Sequence, residues 1–107
     1  MINGMKIVQV NFQFTVEPKE YDAVCQHVAK KLAEVPGLNW KAWLINEQRR
    51  EAGGIYLFDN AAAAVRYVNG PIVENVKSAP GIKNVEIKLF DILEGPSKLT
   101  RFLTAHA

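Results

Sequence analysis

The side chains that could take part in chemistry are two amides, a phenol hydroxyl, an amine and several aromatic rings. The candidate site residues are Gln9, Asn11, Trp40, Tyr56, Phe58, Lys88 and Phe90. The Tyr56 hydroxyl can hydrogen-bond a substrate hydroxyl, and Lys88 can stabilise an anionic substrate if it is buried. Each has a structural alternative, since Tyr56 can pack in an interface and Lys88 can be solvated at a rim. Aromatic rings mixed with a few polar groups are typical of a pocket for a small molecule.

Other reactive residue types lack the spacing that a known kind of site needs. His27 and His106 have no partner at metal-ligand spacing, so we expect surface residues and no metal site. Cys25 falls on the apolar stripe of a predicted helix, which indicates an inert thiol rather than a nucleophile. Gly53-Gly54 leads into a strand, whereas a phosphate-binding loop leads into a helix, so we interpret the pair as part of a turn.

The composition is that of an ordinary globular domain and excludes several classes of protein. With 107 residues, 49% hydrophobic and 22% charged, the chain predicts one domain over residues 1–107, with a core at about 5–93 and a tail at 94–107. The basic residues are scattered and the net charge is +2, which does not fit nucleic-acid binding. No apolar run approaches the roughly 18 residues of a membrane helix. One cysteine and no signal peptide at Met1–Met5 predict a cytoplasmic protein.

Hydrophobic periodicity predicts the elements that must position the candidate residues. Alternation with period two marks strands, and apolar spacings of three and four mark helices. The predicted strands are residues 6–14, 38–47 and 55–58, and a last strand that begins at 82 or 83 and ends at 92. The predicted helices are residues 18–35, 61–69 and 71–78. Polar residues 48–54 are predicted to form a glycine-closed turn. Pro18 fits the first turn of its helix, and Asp59-Asn60 fits a helix N-cap. A short helix is expected in the tail around Leu99, Phe102 and Leu103.

The two halves of the chain echo each other, which indicates the fold. Each half is a strand, a helical segment, a Pro-Gly pair and a second strand, with the pairs at Pro36-Gly37 and Pro80-Gly81. This order predicts an α+β, ferredoxin-like βαββαβ domain. Right-handed crossover connections place the helices of both halves on one face of a four-stranded antiparallel sheet.

One face of that sheet is left without helices. Val8, Val10, Phe12 and Phe14 must face the helices, which puts Gln9 and Asn11 on the open face. If the aliphatic side chains of the other strands also face the helices, the open face carries Tyr56, Phe58, Phe90 and Lys88. Trp40 and Trp43 fall on opposite faces, and Trp40 is favoured for the open one unless a bulge near Pro36-Gly37 reverses them. Two copies packed through these faces would close a barrel around a cavity, so we expect a homodimer.

Three segments together resemble a known family. Residues 36–43 (PGLNWKAW), 51–58 (EAGGIYLF) and 88–92 (KLFDI) are similar to the YdhR family of mono-oxygenases, which belongs to the dimeric α+β barrel superfamily. The resemblance covers about residues 5–100. It implies a homodimer that oxygenates a small aromatic or quinol-like substrate without a metal or flavin. Asn11 and Phe58 occupy the positions of an amide and an aromatic residue in related antibiotic- and haem-degrading barrels. Phe58 keeps the stacking role of a tryptophan there but lacks the indole N–H.

This resemblance implies a function for the candidate residues, with two alternatives. As a cofactor-independent mono-oxygenase, the protein would use Asn11 to orient a substrate oxygen or dioxygen and Tyr56 to bind a hydroxyl. Asn11 can instead satisfy strand hydrogen bonds at the dimer interface. The alternatives in function are a non-catalytic barrel that binds a small ligand and an isomerase or lyase. The predicted cavity face carries no buried histidine or paired carboxylates, which counts against proton abstraction.

Overall fold

Four strands and four helices follow one another along residues 4–102, the part of the chain that the computed structural model describes. The elements are β1 (Lys6–Phe14), α1 (Pro18–Leu32), β2 (Leu38–Asn46), β3 (Glu51–Phe58), α2 (Ala61–Val68), α3 (Pro71–Ser78), β4 (Ile82–Asp91) and α4 (Glu94–Leu99). This order confirms the predicted βαββαβ arrangement. The predictions made for Met1–Asn3, Leu103 and His106 lie outside the described residues. None of the helices within residues 4–102 is long and apolar enough to span a membrane.

The sheet has the order β2-β3-β1-β4, and every neighbouring pair is antiparallel. The core lies on one face of this sheet, where β1 packs against α1, α2 and α3. Its β1 contribution is Val8, Val10, Phe12 and Phe14, as their alternation predicts. We call this the helix face of the sheet, and the other the open face.

The Pro-Gly pairs form equivalent turns in the two halves. Gly37 and Gly81 both have positive φ, 83° and 87°, and each is followed by the first residue of a strand. Helix α1 ends at Leu32, three residues before the predicted end. Val35 still packs against the core from the connecting turn, which is why it continued the apolar stripe in the sequence.

The turn between β2 and β3 is shorter than predicted. It occupies residues 47–50, and β3 begins at Glu51, so Gly53 and Gly54 are buried strand residues rather than turn residues. A Cβ on Gly53 would lie 2.8 Å from the Val10 carbonyl carbon and 3.0 Å from Asn11 Cα, and closer still to the Val10 oxygen. Glycine is therefore required at residue 53 by the close approach of β1, which is a role that glycine also has within strands.

The N-cap of α2 offers a direct test of local helix stabilisation. Asn60 Oδ1 accepts a hydrogen bond of 2.8 Å from the Ala63 backbone N–H. We expect Asn60→Ala to lower the free energy of unfolding by about 1 kcal/mol, because one N–H at the helix start loses its partner. Urea denaturation measures this loss, and Asn60→Asp is the control that keeps an acceptor. Equal stability of the alanine and aspartate variants would contradict the assignment.

Candidate functional site

The register of β3 corrects the predicted position of two candidate residues. Tyr56 lies opposite Val8 and is 4% exposed, and Phe58 lies opposite Lys6 and is fully buried. Both therefore lie on the helix face, and their prediction on the open face is wrong. Their rings pack on Tyr67 of α2, with centroid distances of 4.9 Å from Tyr56 and 5.4 Å from Phe58. The aromatic side chains of β3, not its aliphatic ones, thus fill the space beneath the helices.

The remaining candidates lie together on the open face. Gln9 Nε2 donates a 2.9 Å hydrogen bond to Asn11 Oδ1. In the strand register Gln9 pairs with Lys88, and Ile7 pairs with Phe90. Trp40, Leu57, Ile7 and Phe90 form an apolar row across all four strands. The structure therefore groups Gln9, Asn11, Trp40, Lys88 and Phe90, and the sheet separates them from Tyr56 and Phe58.

A cavity of about 330 Å³ lies between the helix face of the sheet and helices α1 and α3. Its walls are largely apolar, and the lining includes Val10, Tyr21, Val28, Trp43, Val73 and Val85. A volume of this size is at the lower end of the range for small-molecule sites. The helix face therefore carries a candidate site, whereas the sequence favours the open face. A second cavity, of about 390 Å³, lies beside Asn11, Gln13 and Glu86.

Lys41 is the charged group most closely enclosed by this cavity. Its Nζ lies 3.3 Å from the centroid of the Trp43 ring and 4.6 Å from that of Tyr56. None of the ion pairs formed within residues 4–102 involves Lys41. Burial without a carboxylate partner disfavours the ammonium form and lowers the pKa of Lys41 to about 8. The amine is therefore partly neutral near neutral pH and can accept a proton.

Gly54 provides the space in which the Lys41 side chain lies. Gly54 is opposite Trp43 in the β2–β3 pair, and the neighbouring pair is Lys41 with Tyr56. A Cβ on Gly54 would overlap Lys41 Cε and lie 3.4 Å from its Nζ. The missing side chain at residue 54 thus lets the lysine stem lie along the sheet and bring its amine to the cavity.

Two tyrosines form a buried hydroxyl pair beside Lys41. Tyr67 Oη donates to Tyr56 Oη over 3.1 Å. Burial raises the pKa of both phenols, so both remain protonated donors at physiological pH. Among the described residues the Tyr56 hydroxyl hydrogen has no acceptor, which leaves it free to donate to a ligand in the cavity.

Cys25 lies on the cavity wall of α1 rather than in the core. Burial raises the pKa of its thiol, which favours the protonated, weakly nucleophilic form. Within residues 4–102 there is no group of three or more His, Cys, Asp or Glu side chains that could hold a metal ion.

The sequence matches one protein family over almost all of the described residues. The family described as "Putative mono-oxygenase ydhR" matches residues 7–102. The chain belongs to this family. The resemblance stated from the three sequence segments is thereby confirmed. No curated protein matches the chain.

Solved structures of similar fold include a cofactor-independent oxygenase and a heme-degrading protein. SnoaB, a cofactor-independent oxygenase from Streptomyces nogalater, is 17% identical, with 85% of this chain and 95% of that chain covered and a TM-score of 0.69. MupZ from Pseudomonas fluorescens is 14% identical, with 97% and 85% covered and a TM-score of 0.69. The heme-degrader MhuD from Mycobacterium tuberculosis is 15% identical, with 81% and 95% covered and a TM-score of 0.62. At these identities the likeness shows the fold, and it confirms the predicted ferredoxin-like α+β class.

The sequence does not indicate Lys41 and Tyr67 as site residues, and it favours Trp40 over Trp43 for the cavity. Lys41 and Trp43 do share a strand face by alternation, which is visible in the sequence. Only the β2–β3 register, however, brings that face under the helices beside Tyr56. Tyr67 follows Ala63 and Ala64 at helical spacing, so its buried position could have been predicted, but its contact with Tyr56 could not.

Proposed function

We propose that this protein is a cofactor-independent mono-oxygenase that acts on a small aromatic, quinol-like substrate in the cavity of the helix face. The observation that carries the proposal is an apolar cavity of about 330 Å³ with the Tyr56 hydroxyl and the Lys41 amine at one wall. Membership of the YdhR family supports oxygenation. The shared fold with SnoaB, itself a cofactor-independent oxygenase, supports the absence of a required cofactor.

The proposed reaction takes its electrons from the substrate. A deprotonated phenol or quinol gives one electron to dioxygen, and the resulting pair combines to form a carbon–oxygen bond. Loss of water from this peroxide leaves a carbonyl, so that a phenol and dioxygen become a quinone and water. One oxygen atom enters the product and the other leaves as water. The protein has to orient the substrate, help remove its proton and exclude solvent.

Each of these tasks has a candidate residue in the cavity. Lys41 covers one face of the Trp43 indole, and the other face provides a flat surface on which an aromatic ring can stack. Tyr56, held by the hydrogen bond from Tyr67, can donate to the substrate oxygen. The apolar side chains of α1 and α3 that line the cavity would limit the access of water to the reacting atoms. Tyr56 thus keeps its proposed role, while Asn11 is on the opposite side of the sheet from this cavity.

Oxygen uptake tests this proposal. The purified protein is incubated with a panel of quinols and phenols in the presence of a chelator. We expect uptake above buffer for at least one compound, and a drop in kcat/KM of about tenfold to a hundredfold in Tyr56→Phe, because one hydrogen bond to the developing oxyanion is lost. Tight binding of a compound without uptake would indicate a binding protein, and turnover without oxygen would indicate an isomerase or lyase.

The variant Asn11→Ala distinguishes the two faces of the sheet in the same assay. If the site is in the helix-face cavity, Asn11→Ala retains uptake within about twofold of wild type, since surface substitutions away from a site have small effects. Loss of uptake in Asn11→Ala together with full activity of Tyr56→Phe would move the site to the open face.

The second part of the proposal is that another copy of the chain covers the open face. The row Trp40, Leu57, Ile7 and Phe90 is apolar; Leu57 is already buried in the single chain, Trp40 and Ile7 are half-buried, and Phe90 is 47% exposed. Glu86 and Lys88 follow on the same face of β4, so a two-fold axis can bring opposite charges of two copies together. Apolar surface such as the exposed part of Phe90 is costly to leave in water, which favours a homodimer.

A further inference from the structure

We propose that Lys41 accepts the proton of an acidic phenol or enol, and that the cavity selects this class of substrate and holds it as the oxyanion. The inference rests on the proposed function, to which it adds a proton acceptor and a chemical criterion for the substrate. It is based on the position of the Lys41 amine between two aromatic rings at the wall of the apolar cavity.

The geometry restricts where this amine can be. Lys41 projects from β2, its stem lies over Gly54, and its Nζ contacts the faces of Trp43 and Tyr56. A longer side chain on residue 54 would displace it, and the rings on either side limit its movement. An amine held in this way at the cavity wall can act as a general base on a hydroxyl bound within hydrogen-bond distance of it.

The groups that face Lys41 from the surrounding elements do not compete for this role. From α1 they are Tyr21 and Cys25, from β3 Tyr56, and from α2 Tyr67; the lining residues Glu20 and Lys31 of α1 are exposed to solvent. Burial raises the pKa of these three phenols and of the thiol, so all four stay protonated. The lining side chains of α3, Ile72, Val73, Asn75 and Val76, do not titrate. The Lys41 amine is therefore the basic group of the cavity.

The transfer is a simple proton exchange. The O–H bond of the phenol breaks, its electrons remain on the oxygen, and a new N–H bond converts the neutral Lys41 amine into an ammonium. Both partners are neutral before transfer, so the phenol enters an apolar cavity without the desolvation cost of an anion. After transfer, the oxyanion lies beside the ammonium and can accept a hydrogen bond from Tyr56. A carboxylate would enter already charged, which is why we infer phenols and enols rather than carboxylic acids.

The proposed role of Lys41 determines the direction in which kcat/KM changes with pH. The amine must be neutral in order to accept the proton, and burial lowers its pKa to about 8. With a phenol that is itself still protonated there, kcat/KM is expected to rise as the pH increases through about 8. Below that pH, Lys41 is already an ammonium and the neutral phenol finds no acceptor.

Absorbance of 4-nitrophenol bound without oxygen tests the inference, because the phenol and the phenolate absorb at different wavelengths. We expect the apparent pKa of the bound probe to fall by about one to three relative to the free probe, since an adjacent opposite charge favours the phenolate. The fall should vanish in Lys41→Met and persist in Lys30→Met, whose lysine is exposed on α1. A bound probe with unchanged pKa in the wild type, or with the same lowered pKa in Lys41→Met, overturns the inference.

Two further measurements keep this test independent of the proposed oxygenation. Circular dichroism and thermal unfolding check that Lys41→Met folds, and Lys41→Gln replaces it if it does not. Phenolate binding by Lys41 without any oxygen uptake supports the inference and contradicts the oxygenase. Uptake by Lys41→Met at the wild-type rate supports the oxygenase and overturns the role of Lys41. In Lys41→Arg, a permanent cation should retain the lowered probe pKa and lose uptake, because arginine cannot accept the proton.

Discussion

Replacing Gly53 with alanine is expected to lower the free energy of unfolding by at least about 3 kcal/mol. The added Cβ would overlap the Val10 carbonyl group on the neighbouring strand. Residue 53 also has a φ of 152°, which is unfavourable for a side chain. The backbone of β1 cannot move away easily, because β1 is hydrogen-bonded to β3 on one side and β4 on the other. The steric overlap and the unfavourable φ both destabilise only the folded state, so both lower the free energy of unfolding.

Urea denaturation followed by circular dichroism measures this loss, and two other glycines are the controls. Gly95→Ala adds a Cβ that meets nothing within 4 Å and should leave stability unchanged within about 0.5 kcal/mol. Gly54→Ala meets mainly the flexible end of Lys41, so it should fold but displace the lysine. A Gly53→Ala protein that is as stable as Gly95→Ala would show that β1 and β3 do not approach this closely.

The order of the elements could be predicted because local signals determine it. The alternation of Val8, Val10, Phe12 and Phe14 is enough to define both a strand and its buried face, since four large apolar side chains on one side need a core. Pro18 and Asn60 mark helix starts through the chemistry of the first turn, which depends on neighbouring residues alone. These local features are sufficient for the α+β class and for the position of the helices along the chain.

The face of β3 could not be predicted, because it depends on a distant pairing. Alternation shows that Tyr56 and Phe58 share a face, but not whether that face is under the helices. Only the register with β1, in which Val8 lies opposite Tyr56, shows which face of β3 is under the helices. The glycines at 53 and 54 added to the error, because they are typical of turns and here serve close packing within the sheet. Because Tyr56 and Phe58 were expected on the open face, the cavity was expected there too.

The proposed dimer interface and the proposed substrate cavity lie on opposite faces of the sheet. With Tyr56 on the open face, the surface that a second copy covers and the substrate cavity would have been the same feature. In the structure, Asn11 and Phe90 lie on one side of the sheet, and Tyr56 and Lys41 on the other. The cavity is lined by residues of the sheet and of α1, α2 and α3. Dimerisation and substrate binding are therefore expected to be separable by mutation.

Replacing Phe90 with aspartate is expected to convert the proposed dimer into a monomer. Phe90 is at one end of the apolar row that crosses the open face, and a second copy would bury it. A buried carboxylate without a partner would cost about 2 kcal/mol in each copy, and the two-fold axis introduces it twice. The dimer dissociation constant should therefore increase on the order of a thousandfold. Light scattering over a concentration series measures this change, and Val65→Asp is the matched control: Val65 is 46% exposed on α2.

Phe90→Asp also tests whether substrate binding depends on the proposed dimerisation. Because the cavity lies on the opposite face of the sheet, monomeric Phe90→Asp should bind 4-nitrophenol within about threefold of the wild-type affinity, as expected for positions that share no contacts. It should also hold the probe as the phenolate, since Lys41, Trp43 and Tyr56 remain in place. A variant that is still dimeric at low micromolar concentration would exclude the open face as the interface. A monomer that has lost the probe would mean that the second copy completes the cavity, and the site would then belong to the dimer rather than to one chain.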